Sequence, residues 1–465
     1  MLLCLAWAVF LTACDRAVER GGNDRIVLRY WEKWTGFEAE AMQAVVDDFN
    51  HAQDRIYVKM VAVSQIEQKT MLATSGGNPP DVAGLIASSI SAYAEKGALL
   101  PLDGRLKEAG VVREDYFPAL WEICTHRGFV WALPSTPASN ALHWNRRLFQ
   151  QAGLDPDVPP QSLAELDQMA ERLTVVEVIR EGTAVRLPFS ELTSRELASR
   201  SFVIVQLGFS PTEPGWWRQS WGHWFGGRLW DGGRTITADS AENIAAFQWV
   251  AGYAEKYGAR NMLDFGSTFG NFASAQNPFL NGRVAMVIQG VWMHNFIQQF
   301  APTLDWAAAP FPSVDPDRWP GVCNIDCDVL VIPRGARHPE ASFEFIRYVN
   351  RQGPMEKLCL GQRKFSALRS MSEDFVQDHP NPWIDVFIAL AGSPNAMPAP
   401  RVAVWHDYRE ELFVAVDRIF RGDVPAAVAL GTARRRAQWK LDRALRRWER
   451  TGGNRTEEWK RWAEP

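Results

Sequence analysis

Apolar positions along this chain switch repeatedly between a strand-like run and a helical spacing. Residues 26–31 (IVLRYW) and 56–63 (IYVKMVAV) are short apolar runs rich in β-branched and aromatic side chains, which predicts strands. Between them Met42, Val45, Val46 and Phe49 recur at i, i+3, i+4 and i+7, which predicts a helix over residues 38–50. A helix from Gln65 to Ser75 follows, stopped by Gly76-Gly77, then a strand from Asp81 to Ile86 and a helix from about Ser89 to near Gly97. Downstream, Ser162 and Glu165 have the spacing of a capping box behind Pro159-Pro160. Asp239 to Tyr257 reads as a long helix with Ile244, Phe247, Ala251 and Ala254 on one face and Gly258 as its stop. Ala437, Leu441, Ala444 and Trp448 mark another helical face.

Strands alternating with helices imply α/β architecture with parallel, doubly wound sheets. In such sheets ligands sit beyond the carboxyl ends of the strands. Three segments occupy that rim: residues 31–37, 63–65 and 86–89. No internal repeat and no Pro- or Ser-rich linker divides the 465 residues, which fits two lobes that the chain crosses more than once.

Composition sharpens this. With 46% hydrophobic and 22% charged residues the chain can bury a large core. A net charge of -4 argues against a general nucleic-acid binder. The 21 Trp against 8 Tyr demand many flat apolar surfaces, some of them for a ligand. Trp216, Trp217, Trp221 and Trp224 fall at spacings that suit a helix with its aromatics on one side, mostly as core, with Trp217 and Trp221 the candidates for a ligand face.

Leu2 to Leu11 is apolar but far short of the ~20 residues a bilayer crossing needs. It runs into Leu11-Thr12-Ala13-Cys14, which resembles the lipobox of bacterial lipoproteins. That resemblance implies a signal peptide over 1–13, acylation of Cys14, and a flexible tether over 14–24; an ordinary signal peptide with an incidental Cys is the alternative. Asp15 implies retention at the inner membrane, hence a periplasmic, lipid-anchored protein. Cys124, Cys323, Cys327 and Cys359 remain beyond the tether. In a strand, Cys323 and Cys327 would lie ~13 Å apart, too far to bridge each other. Buried free thiols or one longer-range bridge are expected, and no metal site.

Four segments in order resemble the family 1 extracellular solute-binding proteins of ABC importers, the maltose-binding-protein-like group. They are Asn78-Pro79-Pro80-Asp81-Val82 with residues 93–102, then residues 128–154 (GFVWALPSTPASNALHWNRRLFQQAGL), then residues 279–286 with Gly290-Val291-Trp292, and finally residues 420–444. Two stretches depart from the family pattern: residues 321–328, where paired glycines are replaced by Gly-Val-Cys-Asn-Ile-Asp-Cys-Asp, and residues 175–197, which are longer and more charged. The resemblance implies a two-lobed periplasmic binding protein fold (type II). Lobe 1 would comprise residues 25–138 and 324–350, and lobe 2 residues 139–323 and 351–465, with crossings near residues 137–140, 320–324 and 348–353.

It also implies a small-molecule solute closed between the lobes and handed to ABC permease subunits, with no catalysis and no cofactor. A solute sensor reporting to a receptor would share the fold. A glycan-active enzyme is the more distant alternative, since GxSxG, HExxH and Walker A patterns are absent. A sugar needs rings over its C–H faces and planar polar groups for its hydroxyls. On that chemistry the candidates are Trp31, Glu32 and Trp34 past the first strand, with Ser88, Ser89, Ser135 and Gln289 as polar groups; Asn140 is implied by the resemblance, at the position of a polar ligand residue in the first crossing. The resemblance adds Trp292 and Trp405 at positions of stacking tryptophans. Residues 432–465 carry a surplus of basic side chains, read as a solvated helix face or as a contact for anionic headgroups or the permease.

Overall fold

The computed structural model describes residues 25–270 and 272–464. Cys14 and the rest of the proposed signal peptide and tether lie outside the described residues. The strands are β1 (Ile26–Glu32), β2 (Ile56–Ala62), β3 (Val82–Ile86), β4 (Thr125–His126), β5 (Phe129–Val130), β6 (Leu133–Asn145), β7 (Val175–Arg180), β8 (Thr183–Pro188), β9 (Val203–Phe209), β10 (Val284–Gly290), β11 (Trp306–Ala309), β12 (Cys323–Val331) and β13 (Ala396–Met397).

Among the described residues, one 11-stranded sheet runs in the order β2-β1-β3-β12-β6-β10-β9-β7-β8, with β11 on β6 and β13 on β12. The parallel sheet expected from the sequence is present in β2-β1-β3, but β12 enters antiparallel to both β3 and β6. The 13-residue β6 is the link between the two halves. Residues Leu133 to Ser139 pair with β12, and from Asn140 onward the same strand pairs with β10 and β11. The backbone therefore changes partners between Ser139 and Asn140.

Two hydrophobic clusters flank this line. The first is built on Leu28, Tyr30, Met42, Val45, Val46, Phe49, Ile56 and Val58; the second on Phe149, Leu166, Phe209, Phe247 and Tyr408. The predicted helix over 38–50 spans Gly36–Ala52 and buries Met42, Val45, Val46 and Phe49 as the spacing requires. Asn50 pins it to β2: its side-chain amide donates to the Val58 carbonyl at 3.0 Å and its oxygen accepts from the Val58 N–H at 2.8 Å. Asp81, fully buried, plays a similar role, accepting from the N–H groups of Arg29 at 2.9 Å and Arg337 at 3.0 Å. Helices Pro339–Val349 and Gln352–Gln362 both feed the first cluster, and the chain re-enters the second cluster at Val402.

Several expectations shift in detail. Ser162 caps helix Leu163–Arg172 as expected, but the Glu165 carboxylate accepts from the Gln161 N–H at 2.8 Å instead of closing back on Ser162. Helix Ala241–Tyr257 buries Phe247 and Ala254 together with Ala246, Val250, Tyr253 and Tyr257, while Ile244 and Ala251 lie at the margin of that face, partly buried against the second cluster. The four-tryptophan run is not an α-helix. Trp221–Phe225 is a 3-10 turn broken by Gly226 at positive φ, and Gly222 sits so close to the Asn243 side chain that no Cβ fits. The charged stretch 175–197 is the edge hairpin β7–β8 with a short capped helix, Ser194–Ser199. All four cysteines beyond the tether are free and buried.

Gly208 lies in β9 directly against the backbone of Ala170, so a Cβ there would overlap main-chain atoms that no rotamer change can move. A Cβ at Gly252, inside helix Ala241–Tyr257, would project into open space. Gly208→Ala should therefore lower stability by about 1–3 kcal/mol, whereas Gly252→Ala should be neutral or stabilising by about 1 kcal/mol. Urea titration of both variants checks this; equal effects would contradict the packing described.

Candidate functional site

Two cavities share a wall where the lobes face each other. The inner one, about 320 Å³, has Asn324, Ile325 and Asp326 of β12 on one side and Ile86, the last residue of β3, with Ser88 just beyond it on another. Trp217, His223, Trp292, Trp405 and Arg409 close it. The outer one, about 830 Å³, is bounded by residues 35–38 after β1, by Asn295 and Phe296, and by Arg363. Trp216 and Trp292 line both.

The shared wall is made of indoles. Trp217 and Trp292 stack with ring centroids 5.8 Å apart and planes 29° from parallel. Trp216 tilts against both, at 5.9 Å from Trp217 and 5.8 Å from Trp292, and is 45% exposed. Gly290 makes the position of Trp292 possible, because a Cβ at residue 290 would fall inside the Trp292 ring. Trp405 opens helix Trp405–Phe420 and turns its edge toward Tyr408.

Around the indoles lies a set of hydrogen-bonding atoms, several without protein partners. The Asn140 side-chain oxygen accepts from the Asn324 N–H at 2.9 Å across the line where β6 changes partners. The Asn324 side-chain oxygen in turn meets His223 Nδ1 at 3.0 Å. That contact makes Nδ1 the protonated nitrogen. Burial lowers the His223 pKa to about 4, so the ring is neutral at physiological pH. Asn140 Nδ2, Asn324 Nδ2, Gln219 Oε1, Gln289 Oε1, Ser135 Oγ and Arg409 Nε have no hydrogen-bond partner in the protein. Buried polar atoms are normally paired; of these residues Asn324, Gln219 and Arg409 line the inner cavity, where a hydroxyl-rich guest or ordered water would satisfy them, while Asn140, Gln289 and Ser135 are sealed behind it. The Asp326 side chain is exposed on the strand face that borders the inner cavity; the surrounding protein, helped by neighbouring Asp328, raises its pKa to about 7 against the pull of the Cys327 N–H, Lys33 and Arg409.

The sequence-derived candidates divide into three groups. Trp217, Trp292, Trp405 and Ser88 come together on the inner cavity. Ser135, Asn140 and Gln289 are buried at the strand junction behind it, and Ser89 turns back to donate to the Ile86 carbonyl at 2.7 Å. The remainder are corrected. Trp221 is enclosed by Phe209, Trp224, Trp249 and Phe311 in the second core, with its N–H on the Pro211 carbonyl. Trp34 is a core residue with Lys33 over its ring at 4.9 Å, and Trp31 packs half-buried against the first cluster. Glu32 is fully buried beneath Gly84, accepting from the Tyr30 hydroxyl and the Lys33 N–H. It belongs to a structural charge network in which Lys33 reaches Asp328 at 2.8 Å and Lys364 reaches Glu38 at 3.1 Å.

Residues the sequence reading missed are Trp216, Gln219, His223, Asn324, Asp326 and Arg409. For two of them a signal existed. In Cys-Asn-Ile-Asp-Cys-Asp, Asn324, Asp326 and Asp328 alternate with apolar residues, and β12 turns exactly those three away from the core. No three metal-ligating side chains cluster among the described residues.

Comparison with known proteins agrees with the two-lobed fold. The chain is 22% identical over 335 residues to an ABC transporter extracellular-binding protein of Pyrococcus horikoshii, covering 69% of this chain and 67% of that one. It is 25% identical over 153 residues to the sn-glycerol-3-phosphate-binding periplasmic protein UgpB of Rhizobium meliloti, covering 31% of this chain and 36% of that one. Among solved structures it resembles CpMnBP1 with mannotriose bound, with a TM-score of 0.71, 26% identity, and coverage of 89% of this chain and 100% of that one. The family model for bacterial extracellular solute-binding proteins matches residues 44–381, and the chain belongs to that family.

Proposed function

We propose that this chain is the substrate-binding component of an ABC importer, capturing a carbohydrate between its lobes and delivering it to the membrane permease. The observation that carries this reading is the indole wall of Trp216, Trp217 and Trp292, edged by unpartnered amide groups. Flat rings cover the C–H faces of a pyranose by burial and dispersion, and planar amides and carboxylates match its hydroxyls directionally. A glycerol phosphate ligand would call for an excess of cations. The inner cavity instead offers Arg409 beside Asp326, and the outer one Arg363 beside Glu38 and Glu40.

The mechanism follows from linkage. A solute that touches both lobes favours the closed arrangement only to the extent that it binds that arrangement better. Rotation about the point where β6 and β12 pass between lobes would bring Ser88 and Asp326 toward Trp217 and Trp405, which pack on the second core, while each core stays rigid. The family works outside the cytoplasmic membrane. The proposal adds a lipid anchor at Cys14 that holds the protein at the inner membrane.

Trp292→Ala and Trp405→Ala should each weaken saccharide binding by about 2 kcal/mol, roughly 30-fold, with little change in the far-UV spectrum. Calorimetric titration with mannobiose, mannotriose and sn-glycerol 3-phosphate tests this. Full-strength saccharide binding by both variants would refute the site, and binding of the phosphate ester alone would refute the ligand class.

Asp326 gives a pH signature. Its folded-state pKa, about 7, lies above the ordinary carboxylate value, so the native state holds a proton that the unfolded chain has lost. Stability from this group is therefore present at low pH and lost as the pH rises from about 4 to about 7. Asp326→Asn should raise the melting temperature more at pH 8 than at pH 4; a pH-independent difference would contradict the assignment. Cys14→Ser should release the protein from membranes or block its processing, and unchanged fractionation would count against the anchor.

A further inference from the structure

Helix Ala426–Ala463 is 38 residues long, or about 57 Å at the rise of an α-helix. Its two ends belong to different bodies. Ala429, Leu430, Ala437 and Leu441 are buried in the second core, and Arg434 meets Asp239 at 2.8 Å. Trp459, fully buried, sits in the first core, edge-on to Trp131 at 4.8 Å and Phe129 at 5.6 Å. Nearby, Arg105 donates to the Trp462 carbonyl at 3.4 Å, Arg334 lies over the Trp462 ring at 5.3 Å, and Arg455 donates to the Glu95 carbonyl. Between the two anchorages the helix is flanked by open grooves of about 280 and 350 Å³. One continuous helix thus crosses from one lobe to the other, away from the ligand cavities.

A continuous helix fixed at both ends resists a change in the separation of the bodies it joins. The two anchorages are unequal. The first is a long apolar stripe buried over several turns. The second depends on indoles, and the Trp459 N–H is buried without a hydrogen-bond partner. An unpaired polar group in a core is unfavourable, so this dock, held by ring packing and a few arginine contacts over its last turns, is the weaker of the two.

We propose that the segment Trp448–Ala463 is an interlobe strap: docked on the Phe129–Trp131 pad it holds the lobes near their present separation, and its release widens the range they sample. This regulates the ligand site described above, and to that extent it rests on the capture reading. The solute then works against the strap as well as the hinge, so its affinity depends on a contact it never touches.

The test measures lobe separation without needing a ligand. Spin labels on Leu72→Cys and Ile179→Cys, both well exposed, report an interlobe distance distribution by pulsed electron resonance in a chain that begins after Cys14, where the four remaining thiols, Cys124, Cys323, Cys327 and Cys359, are buried. The ligand-free distribution should broaden and its mean should move in Trp459→Ala and in a chain stopped after Arg447, and Trp459→Phe should restore the parental profile. A preserved cooperative melt of the second core confirms that the lobes remain folded. Distributions identical to the parent in both released forms would overturn the strap. Broadened distributions in a protein that binds no saccharide would uphold the strap and refute the capture reading instead.

Discussion

The structure depends on one strand doing two jobs. β6 supplies a hydrogen-bond ladder to β12 through Ser139 and to β10 from Asn140 onward. Because the side-chain register of a strand has period 2, it cannot slip in one lobe without misplacing every residue in the other. The Asn140 side chain reinforces that junction by holding the Asn324 N–H, and Asn324 holds His223. Lobe geometry, cavity floor and the tautomer of a cavity histidine are thus set by one short chain of hydrogen bonds.

The tryptophan excess divides between two tasks. Trp221, Trp224 and Trp131 are nearly sealed from solvent, and the N–H of each finds a backbone carbonyl. Trp216, Trp217 and Trp292 instead form a partly open wall between two cavities. A residue type chosen for large rigid area serves both needs, and composition alone cannot separate them. What separates them is tertiary placement, whether the ring borders a cavity between the lobes.

The parts of the fold legible in the sequence are those governed by local periodicity. The helix carrying Met42, Val45, Val46 and Phe49 is one, because burial on one face is imposed by its 3.6-residue repeat. Misreadings arose where a distant residue decides. Glu32 looked like a rim carboxylate but is covered by Gly84, 52 residues away in sequence, and linked through Lys33 to Asp328. The Trp216–Trp224 run had helical spacing, yet close packing of Gly222 on Asn243 breaks it. Trp292 and Trp405 were found through resemblance, since nothing local distinguishes a cleft tryptophan from a core one. The alternating polar residues of β12 were available and unused.

The central claim is that a saccharide is held between the lobes and draws them together. Small-angle X-ray scattering with and without a saccharide that raises the melting temperature tests it directly. The radius of gyration should fall on saturation; a bound saccharide that leaves it unchanged would contradict capture by closure.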